Sequence, residues 1–388
     1  MRIGLVLPAM VTGGAEQVVL ELASNYQDSG HLVEVIAISK GGSLAARFKD
    51  RGLPTAEMNF RRSFRWSFGW WREVSQLRRA LRVHFLNRRF DVVHTHLKGP
   101  DIDALVAGRQ VGVPVLVHTI HNAYLEYAGR GVWERVRNLR RKRLWGLYDR
   151  LYAVDEGVLN WVVQTRMVEP GKVGVVRNGV DLSQFCTGAP LGKARQRFGW
   201  HKDDKVLLNI GSLTTQKNQT AILDALALLP SSLRGLRLAI AGSGPLDVQL
   251  SKRAAEMGIA PIVELLGVRA DVPELLAAAD VFVFPSLWEG LPIALLEAMA
   301  SGTPIVASDI PVHRRILDGG RLGALSSPKP ESLASALKGV FLDPEGSAKR
   351  AQEAGVQVRN RYDGRRMASE YLSEYQRLLS EKRDRASS

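Results

Sequence analysis

The stretch of residues 279–304 places the tightest limits on how this chain can fold. A short apolar run rich in Val and Phe, Val281 to Phe284, predicts a buried strand that ends at Pro285. Good helix formers run from Pro292 to the stop signal Gly302, and they predict a helix. The first N–H groups of such a helix have no backbone partner and point into the preceding loop. The stretch therefore predicts a strand, a loop and a helix tip that can bind a phosphate.

Two glutamates frame this loop and helix. Glu289 lies in the loop, and Glu297 follows after seven intervening residues, about a turn and a half inside the helix. A carboxylate only accepts hydrogen bonds, which suits the hydroxyls of a sugar or a ribose. The alternative is that Glu289 is an ordinary loop charge and Glu297 an ordinary surface residue. Because Glu297 stands in an almost wholly apolar helix, where a carboxylate seldom lacks a partner, we favour a functional role.

The sequence from Glu289 to Glu297, Glu-Gly-Leu-Pro-Ile-Ala-Leu-Leu-Glu, is followed by Ala-Met-Ala-Ser-Gly-Thr-Pro. In this extended form it resembles the E-x7-E signature of retaining, nucleotide-sugar-dependent glycosyltransferases of the GT4 type, and the resemblance covers essentially the whole chain. It implies the GT-B fold, an α/β architecture of two Rossmann-like, doubly wound parallel-sheet domains facing a cleft. Residues 1–185 are predicted to form the acceptor domain, with a C-terminal helix at about 365–383 packed back on it, and residues 186–364 the nucleotide-sugar domain.

Length and composition agree with two globular domains. The chain has 388 residues, 45% of them apolar and 24% charged, which excludes a disordered or fibrous protein. Cys186 is the only cysteine, so neither an internal disulfide nor a cysteine metal cluster can form, and we expect a reducing compartment. No stretch of the sequence is apolar for long enough to span a membrane. Pro8 interrupts the apolar N-terminus, which predicts a first strand rather than a signal peptide.

Strand patterns alternate with helical patterns in both halves of the chain. Strands are predicted at residues 2–7, 32–38, 91–94, 114–119 and 149–154 in the first half, and at 205–210, 236–241 and 281–284 in the second. This alternation predicts parallel sheets with helices on both faces, whose ligands bind beyond the carboxyl ends of the strands. Gly13 and Gly14 follow the first strand and are candidates for a second anion site; the alternative is a tight turn.

His121, in the sequence Val-His-Thr-Ile-His-Asn, is the candidate catalytic histidine among the eight of the chain. The resemblance implies that it contacts the donor sugar near the reacting centre, whereas a lone histidine at a strand end is more often structural. His96 should lie near it at the sheet edge. His94, His96 and His118 are assigned packing or hydrogen-bonding roles. No spacing typical of metal ligands occurs, so no metal is predicted.

The loop Gly-Ser-Leu-Thr-Thr-Gln-Lys-Asn that opens the second half resembles the donor-phosphate loop of the family. Lys217 matches its lysine, but Ser212 stands where an arginine is common, so a hydrogen-bond donor replaces one of the two usual cations. The resemblance further implies that the backbone at Val268 holds the nucleobase, and that Gly290 and Leu291 belong to the donor site.

The expected reaction transfers a sugar from a nucleoside diphosphate to an acceptor hydroxyl with retention of configuration. The predicted catalytic residues are Glu289, His121 and Lys217. Glu289 would orient the sugar hydroxyls and offset positive charge on the ring, while Lys217 would stabilise the leaving diphosphate. Glu297 would hold the ribose hydroxyls. The resemblance implies a front-face reaction that needs no metal, and no cofactor beyond the nucleotide-sugar substrate.

Two basic, tryptophan-containing segments, residues 60–89 and 130–148, contribute to a net charge of +14. Arg and Lys interleaved with Trp, Leu and Phe at helical spacing suit helices that lie on an anionic membrane surface. We therefore expect a cytoplasmic protein, peripheral on the inner face of the cytoplasmic membrane. Its acceptor would be a saccharide or, as these segments favour, a lipid-linked saccharide used in cell-envelope or exopolysaccharide biosynthesis. The alternatives are amphipathic helices packed on the sheet, and nucleic-acid binding, which we do not predict.

Two departures from the family pattern leave another function open. Ser212 replaces the common arginine, and Asp155 stands where relatives usually carry a serine. The alternative is a noncatalytic, membrane-associated partner protein that keeps the glycosyltransferase fold. Release of nucleotide from nucleotide sugars would distinguish the two.

Overall fold

The computed structural model describes residues 1–60, 70–122, 132–185, 191–229 and 235–387. Cys186 and parts of the two basic segments, residues 61–69 and 130–131, lie outside the described residues. The strands of the described part are β1 Arg2–Leu7, β2 Leu32–Ala37, β3 Thr55–Glu57, β4 Val92–His96, β5 Val115–Ile120, β6 Arg150–Ala153, β7 Val173–Val175, β8 Lys205–Ile210, β9 Leu236–Ala241, β10 Val263–Gly267, β11 Val281–Phe284, β12 Ile305–Ser308 and β13 Ala324–Ser326.

The strands alternate with α-helices through most of the chain. The helices of the described part are α1 Gly14–Asp28, α2 Ala45–Asp50, α3 Trp70–Arg88, α4 Pro100–Gln110, α5 Val132–Trp145, α6 Glu156–Gln164, α7 Leu191–Arg197, α8 Gln219–Ala227, α9 Asp247–Glu256, α10 Val272–Ala278, α11 Ile293–Ser301, α12 Pro311–Ile316, α13 Pro330–Leu342, α14 Pro344–Arg361 and α15 Gly364–Ser387.

The first compact unit consists of Met1–Gly179 and Gly364–Ser388. Its sheet has the strand order β3-β2-β1-β4-β5-β6-β7, and every neighbouring pair is parallel. The C-terminal helix α15 belongs to this unit and packs along α1. The buried hydroxyls of Tyr375 in α15 and Tyr26 in α1 form a hydrogen bond of 3.2 Å.

The second compact unit is Val180–Asp363. Its sheet has the order β10-β9-β8-β11-β12-β13, again with every neighbouring pair parallel. Both sheets are therefore doubly wound: the order reverses between β1 and β4 in the first and between β8 and β11 in the second. Ligands of such sheets bind beyond the carboxyl ends of the strands at that reversal.

Parallel strands with helices on both faces need apolar side chains on both sides. Val281–Phe284, which is β11, meets this need with four buried residues. β4 and β5 are equally buried but carry polar residues, among them His94, His96 and His118. Because buried polar groups are nearly always hydrogen-bonded, these side chains define polar networks inside the first unit.

Sequence reasoning missed β3, β7, β12 and β13, which have only three or four residues each and lack the continuous run of large apolar residues that marks β11. β10 ends at Gly267, directly before Val268, the residue predicted to hold the nucleobase. Residues 180–185, which the sequence assigned to the first domain, belong to the second unit.

Candidate active site

The second unit brings two loops together where its strand order reverses. β8 and β11 are hydrogen-bonded neighbours, and their carboxyl ends lead into residues 211–218 and 285–292. Helix α11 begins at Ile293 with Pro292 as its N-cap. It ends at Gly302, whose φ of 72° is a left-handed conformation that glycine adopts without strain. The strand, loop and helix predicted from the sequence are present at this edge.

Lys217 and Glu289 meet across these two loops. Lys217 Nζ donates a hydrogen bond to Glu289 Oε1 at 2.5 Å. Only 16% of the Lys217 side chain and 7% of the Glu289 side chain are exposed, so the pair is shielded from water. The attraction between shielded charges is stronger than in water, but loss of one partner leaves a costly unpaired charge. Two residues assigned separately to the diphosphate and to the sugar thus form one ion pair.

Neighbouring groups hold the two loops against each other. Gln216 Nε2 donates to the Trp288 carbonyl at 2.8 Å and is 3.4 Å from Glu289 Oε2. The Leu287 N–H donates to the Gln216 carbonyl at 2.8 Å. The position of the Glu289 carboxylate is therefore fixed by backbone contacts between the loops as well as by Lys217.

Two glycines after β9 let that loop approach the one after β8. A Cβ atom at Gly242, where φ is 148°, would lie 1.9 Å from the Gly211 carbonyl oxygen. A Cβ atom at Gly244 would lie 2.4 Å from the Leu213 carbonyl oxygen. The Leu213 N–H donates to the Ser243 carbonyl at 3.0 Å. The G-x-G sequence here serves to position the loop that carries Lys217.

His313, on α12, lies near the ion pair, and sequence reasoning missed it. Its ring is fully buried, and the ring centroid is 5.4 Å from that of Phe284. Lys217 Nζ lies 4.9 Å from the same Phe284 ring. Burial lowers the pKa of His313 to about 4, although the Glu289 charge acts in the opposite direction. The imidazole is therefore neutral at pH 7.

Ser308, at the end of β12, links His313 to the Glu289 loop. His313 Nδ1 is 2.9 Å from the Ser308 carbonyl oxygen and 3.1 Å from Ser308 Oγ, so we assign the ring proton to Nδ1. Ser308 Oγ donates to the Ser286 carbonyl at 2.5 Å. The available sequence signal was an apolar run ending in Ser308, followed by Pro311 at the start of a helix.

Five buried polar atoms at this edge of the second sheet have no hydrogen-bond partner among the described residues. They are Thr214 Oγ1, Gln219 Oε1, Ser286 Oγ, His313 Nε2 and Ser326 Oγ. Buried polar atoms are nearly always paired, so five unpaired ones in one region need an explanation. Hydroxyl and imine groups of this kind can bind ligand hydroxyls, and the serine and threonine hydroxyls can also donate to phosphate oxygens.

The remaining donor-side candidates lie around the same two loops and the end of β10. Glu297 is half-buried in the second turn of α11. Ser212 is exposed, and its backbone carbonyl accepts a side-chain hydrogen bond. Val268, just after β10, is 44% exposed, whereas Gly290 and Leu291 are buried just before α11. Their roles in donor binding stay predictions.

In the first unit, His121 pairs with His96 at the carboxyl ends of β5 and β4. His96 Nδ1 and His121 Nε2 lie 3.0 Å apart, and both rings are buried. Burial lowers the pKa of His121 to about 3 and holds the pKa of His96 well below its usual value. Both rings are therefore neutral at pH 7, and one N–H donates to the other ring.

The other two histidines of this sheet have hydrogen-bond partners outside the His96–His121 pair. His94 Nδ1 lies 2.6 Å from the Tyr375 hydroxyl, and His94 Nε2 lies 2.7 Å from Thr119 Oγ1. His118 Nδ1 lies 3.0 Å from the Thr95 carbonyl oxygen. These contacts are the packing and hydrogen-bonding roles that the sequence assigned to them.

Gly13 and Gly14 occupy the start of α1. Gly13 is the N-cap with an extended backbone, and a Cβ atom there would lie 2.5 Å from Glu16 Oε2. The space beside Gly13 that a bound anion would use is therefore occupied by the Glu16 carboxyl group. Burial raises the pKa of that Glu16 carboxyl to about 7. Gly14 is exposed as the first residue of the helix, and an anion site at the two glycines stays a prediction.

Asp155 has a structural role that explains one departure from the family pattern. It is the N-cap of α6, and its carboxylate accepts a hydrogen bond from the Gly157 N–H at 2.6 Å. Serine and aspartate are comparably good N-caps because either side chain can accept this bond. The replacement therefore preserves the start of the helix.

Helices α3 and α5 expose apolar side chains beside arginines. Trp71, Val83 and Leu86 of α3 and Leu139 of α5 are each more than half exposed. Arg140 lies 6.0 Å from the centroid of the Trp71 ring.

None of the helices described by the structure is both long and apolar enough to cross a bilayer. Likewise, in the described part of the chain no three His, Cys, Asp or Glu side chains are grouped so that they could hold a metal ion.

Comparison with known proteins identifies families for both halves. The model of Glycosyltransferase Family 4 matches residues 12–184, and that of Glycosyl transferases group 1 matches residues 192–358. The Escherichia coli UDP-Gal:alpha-D-GlcNAc-diphosphoundecaprenol alpha-1,3-galactosyltransferase is 33% identical over 230 residues, which are 57% of this chain and 58% of that enzyme. The phosphatidyl-myo-inositol mannosyltransferase of Mycobacterium tuberculosis is 28% identical over 97% of both chains.

A solved structure shows the same fold. The crystal structure of Anabaena HepE in complex with UDP-glucose superposes with a TM-score of 0.82 at 21% sequence identity, covering 96% of this chain and 100% of that one. At this level of identity the similarity concerns the arrangement of strands and helices.

Proposed function

Because this chain belongs to the glycosyl transferases group 1 family and is a glycosyltransferase with the GT-B fold, we propose that it transfers a sugar from a nucleoside diphosphate to a hydroxyl of a lipid-linked saccharide, with retention of configuration. The names of two relatives support the acceptor class. One contains a diphosphoundecaprenol-linked GlcNAc and the other phosphatidyl-myo-inositol. Assembly of a cell-envelope or extracellular polysaccharide would use such acceptors.

The observation that carries the proposal is the Lys217–Glu289 pair where the second sheet reverses its strand order. A departing nucleoside diphosphate gains negative charge, and a shielded lysine ammonium stabilises that charge. A carboxylate beside it accepts hydrogen bonds from sugar hydroxyls. Donor binding would thus turn part of the Lys217–Glu289 contact into a lysine–phosphate contact and a carboxylate–hydroxyl contact.

The proposed reaction exchanges two bonds at the anomeric carbon. The bond to the diphosphate oxygen breaks, a bond to the acceptor oxygen forms on the same face, and the acceptor proton passes to the diphosphate. Glu289 offsets positive charge on the sugar ring, and Lys217 together with the first N–H groups of α11 offsets charge on the diphosphate. Lys217 supplies a positive charge of the kind this step needs, so we propose that the reaction is metal-independent.

The other candidates take supporting roles in this proposal. Glu297 would hold the ribose hydroxyls, and the backbone at Val268 the nucleobase. His121, in the first unit, would contact the donor sugar. Ser212 would donate one hydrogen bond to the diphosphate, a weaker contact than a charged arginine would provide.

A lipid-linked acceptor calls for contact with a membrane surface, and α3 with α5 offers one. Arg78, Arg140 and Arg143 line a groove together with Leu139 and Leu144. A basic residue close to an anionic surface contributes about 1 kcal/mol to binding. The proposed location is the inner face of the cytoplasmic membrane, and selective sedimentation with anionic rather than neutral vesicles would support it.

The function is tested by incubating the protein with individual nucleotide sugars and a lipid-linked saccharide extract, and measuring nucleotide release and product. We expect turnover with one or a few donors, and a fall of about a hundredfold or more in Lys217→Met and in Glu289→Gln. Lys252 and Glu256 form an exposed pair on α9, so Lys252→Met and Glu256→Gln are matched controls that should leave the rate unchanged.

Other outcomes would refute particular parts of the proposal. A product of inverted configuration, determined by NMR, would contradict retention. If no donor is turned over under any condition, a noncatalytic partner protein becomes the better interpretation. Salt-dependent retention on DNA without any nucleotide release would instead favour nucleic-acid binding.

A further inference from the structure

Each imidazole of the His96–His121 pair has one nitrogen left over. His96 Nδ1 and His121 Nε2 bond to each other at 3.0 Å. His96 Nε2 and His121 Nδ1 are buried and have no hydrogen-bond partner among the described residues. An unsatisfied buried nitrogen costs free energy, so two of them side by side point to a ligand that completes their hydrogen bonding.

The bond between the rings couples the two remaining nitrogens. A neutral imidazole carries a single proton. If His96 Nδ1 donates, then His96 Nε2 is bare and His121 carries its proton on Nδ1. If His121 Nε2 donates, the assignment is reversed. In either case the pair offers one donor and one acceptor.

The ring of His96 also packs against the ring of His94. The His94 ring lies against it, with centroids 4.0 Å apart and planes at 36°. His94 is itself fixed at both nitrogens, by the Tyr375 hydroxyl and by Thr119 Oγ1. His96 therefore connects a rigid network inside the sheet to the ring of His121.

We infer that His96 is a positioning residue whose hydrogen bond ties the tautomer of His121 to its own, and that the pair forms a binding site for neutral hydroxyl groups. A hydroxyl both donates and accepts, so neighbouring hydroxyls of a sugar can satisfy both free nitrogens in either tautomeric state. A phosphate oxygen only accepts at neutral pH, and the uncharged pair offers it one donor and no positive charge. The inference rests on the proposed function in that the hydroxyls belong to the transferred or the accepting sugar.

The tautomers can be measured without any substrate. In protein labelled with 15N-histidine, the eight histidines are assigned by single substitutions, and the ring nitrogen shifts report which nitrogen is protonated. At pH 7 we expect His96 and His121 to be neutral and complementary, with one free nitrogen protonated and the other bare. A charged ring, or two free nitrogens in the same state, would overturn the inference.

Two substitutions of His96 distinguish the role of its Nδ1, which bonds to His121, from that of its Nε2, which has no partner among the described residues. The amide of His96→Asn sits near the original Nδ1 and can keep the bond to His121, whereas the longer His96→Gln places its amide near the original Nε2 and loses that bond. We expect His96→Asn to raise the donor KM with kcat within about threefold of the wild type. We expect His96→Gln to lower kcat by about tenfold or more, roughly the effect of one misplaced hydrogen bond in a transition state. His96→Gln should add nothing further in a His121→Ala background.

His118→Asn is the matched control, because His118 is equally buried on β5 but bonds to Thr95 instead. It should leave kcat and the His121 ring shifts unchanged even where it lowers thermal stability. Equal losses of kcat in His96→Asn and His96→Gln, or additive losses with His121→Ala, would show a merely structural role. If His96→Gln does not fold, the wild-type ring shifts decide. Absence of turnover in the wild type would refute the proposed function while leaving the measured tautomers intact.

Discussion

Replacing Glu289 with glutamine should lower the rate of sugar transfer by about a hundredfold or more and yet tighten the binding of a free nucleoside diphosphate. Glu289 Oε1 lies 2.5 Å from Lys217 Nζ, the ammonium proposed to hold the diphosphate. In the wild type a diphosphate that contacts Lys217 is repelled by the neighbouring carboxylate. In Glu289→Gln that repulsion is gone, while the lysine charge remains.

The magnitude follows from the geometry of the pair. A phosphate oxygen bonded to the opposite side of the ammonium at about 2.8 Å would lie about 5 Å from Glu289 Oε1. With an effective dielectric constant of about 20, two unit charges at that separation repel by about 3 kcal/mol. If water screens about two thirds of this, about 1 kcal/mol is left, which corresponds to about fivefold tighter binding. Lys217→Met should act in the opposite sense and weaken binding by about tenfold or more, because it removes a charge-assisted hydrogen bond.

The nucleotide for the assay is chosen between UDP and GDP as the one that raises the melting temperature of the wild type more. Its binding is then measured by isothermal titration calorimetry. Dissociation constants are compared for the wild type, Glu289→Gln, Lys217→Met and the control Glu256→Gln, whose partner Lys252 is exposed on α9. Circular dichroism confirms that each variant is folded. If folded Glu289→Gln binds the nucleotide no more tightly than the wild type, Lys217 and the diphosphate are not neighbours and the reasoning fails.

Four further outcomes are expected. Ser308→Ala should lower kcat by about tenfold, measured by nucleotide release, because it cuts the hydrogen bond that fixes the Glu289 loop; an unchanged kcat would contradict this. Asp155→Ala should lower the free energy of unfolding by about 1 kcal/mol, measured with urea, and Asp155→Ser by only a few tenths, since serine still caps α6. Gly242→Ala should lower the free energy of unfolding by about 3 kcal/mol or more, measured with urea, because its Cβ would clash with the Gly211 backbone. Gly339→Ala is the control, since nothing lies close to that position in α13, and it should raise the free energy of unfolding by up to about 1 kcal/mol. Stability should fall as the pH drops from about 6.5 towards 4, because the unfolded chain protonates at His313, His96 and His121 before the folded one. The raised pKa of Glu16 offsets only part of this loss. His313→Asn should reduce the slope of stability against pH in calorimetric scans.

Much of the fold follows from the sequence because its signals are local. β1, β8, β9 and β11 have the predicted limits, since each is a run of four to six largely apolar residues that a turn signal ends. β3, β7, β12 and β13 give no comparable pattern, because they are held by pairing with a neighbour rather than by their own periodicity. The order of the strands is likewise absent from any local pattern.

That order decides what the sequence could reveal about the site. Lys217 and Glu289 are 72 positions apart, and they meet because β8 and β11 are adjacent where the sheet reverses. The motifs marked each residue as chemically useful, but only the pairing of the strands shows that one charge neutralises the other. His313 is the opposite case, since it carries no motif and becomes relevant only because β12 lies next to β11 and places Ser308 behind the Glu289 loop. A sequence motif therefore identifies groups that touch the substrate more readily than the groups that hold them, and the holding groups have to be sought on the neighbouring strands.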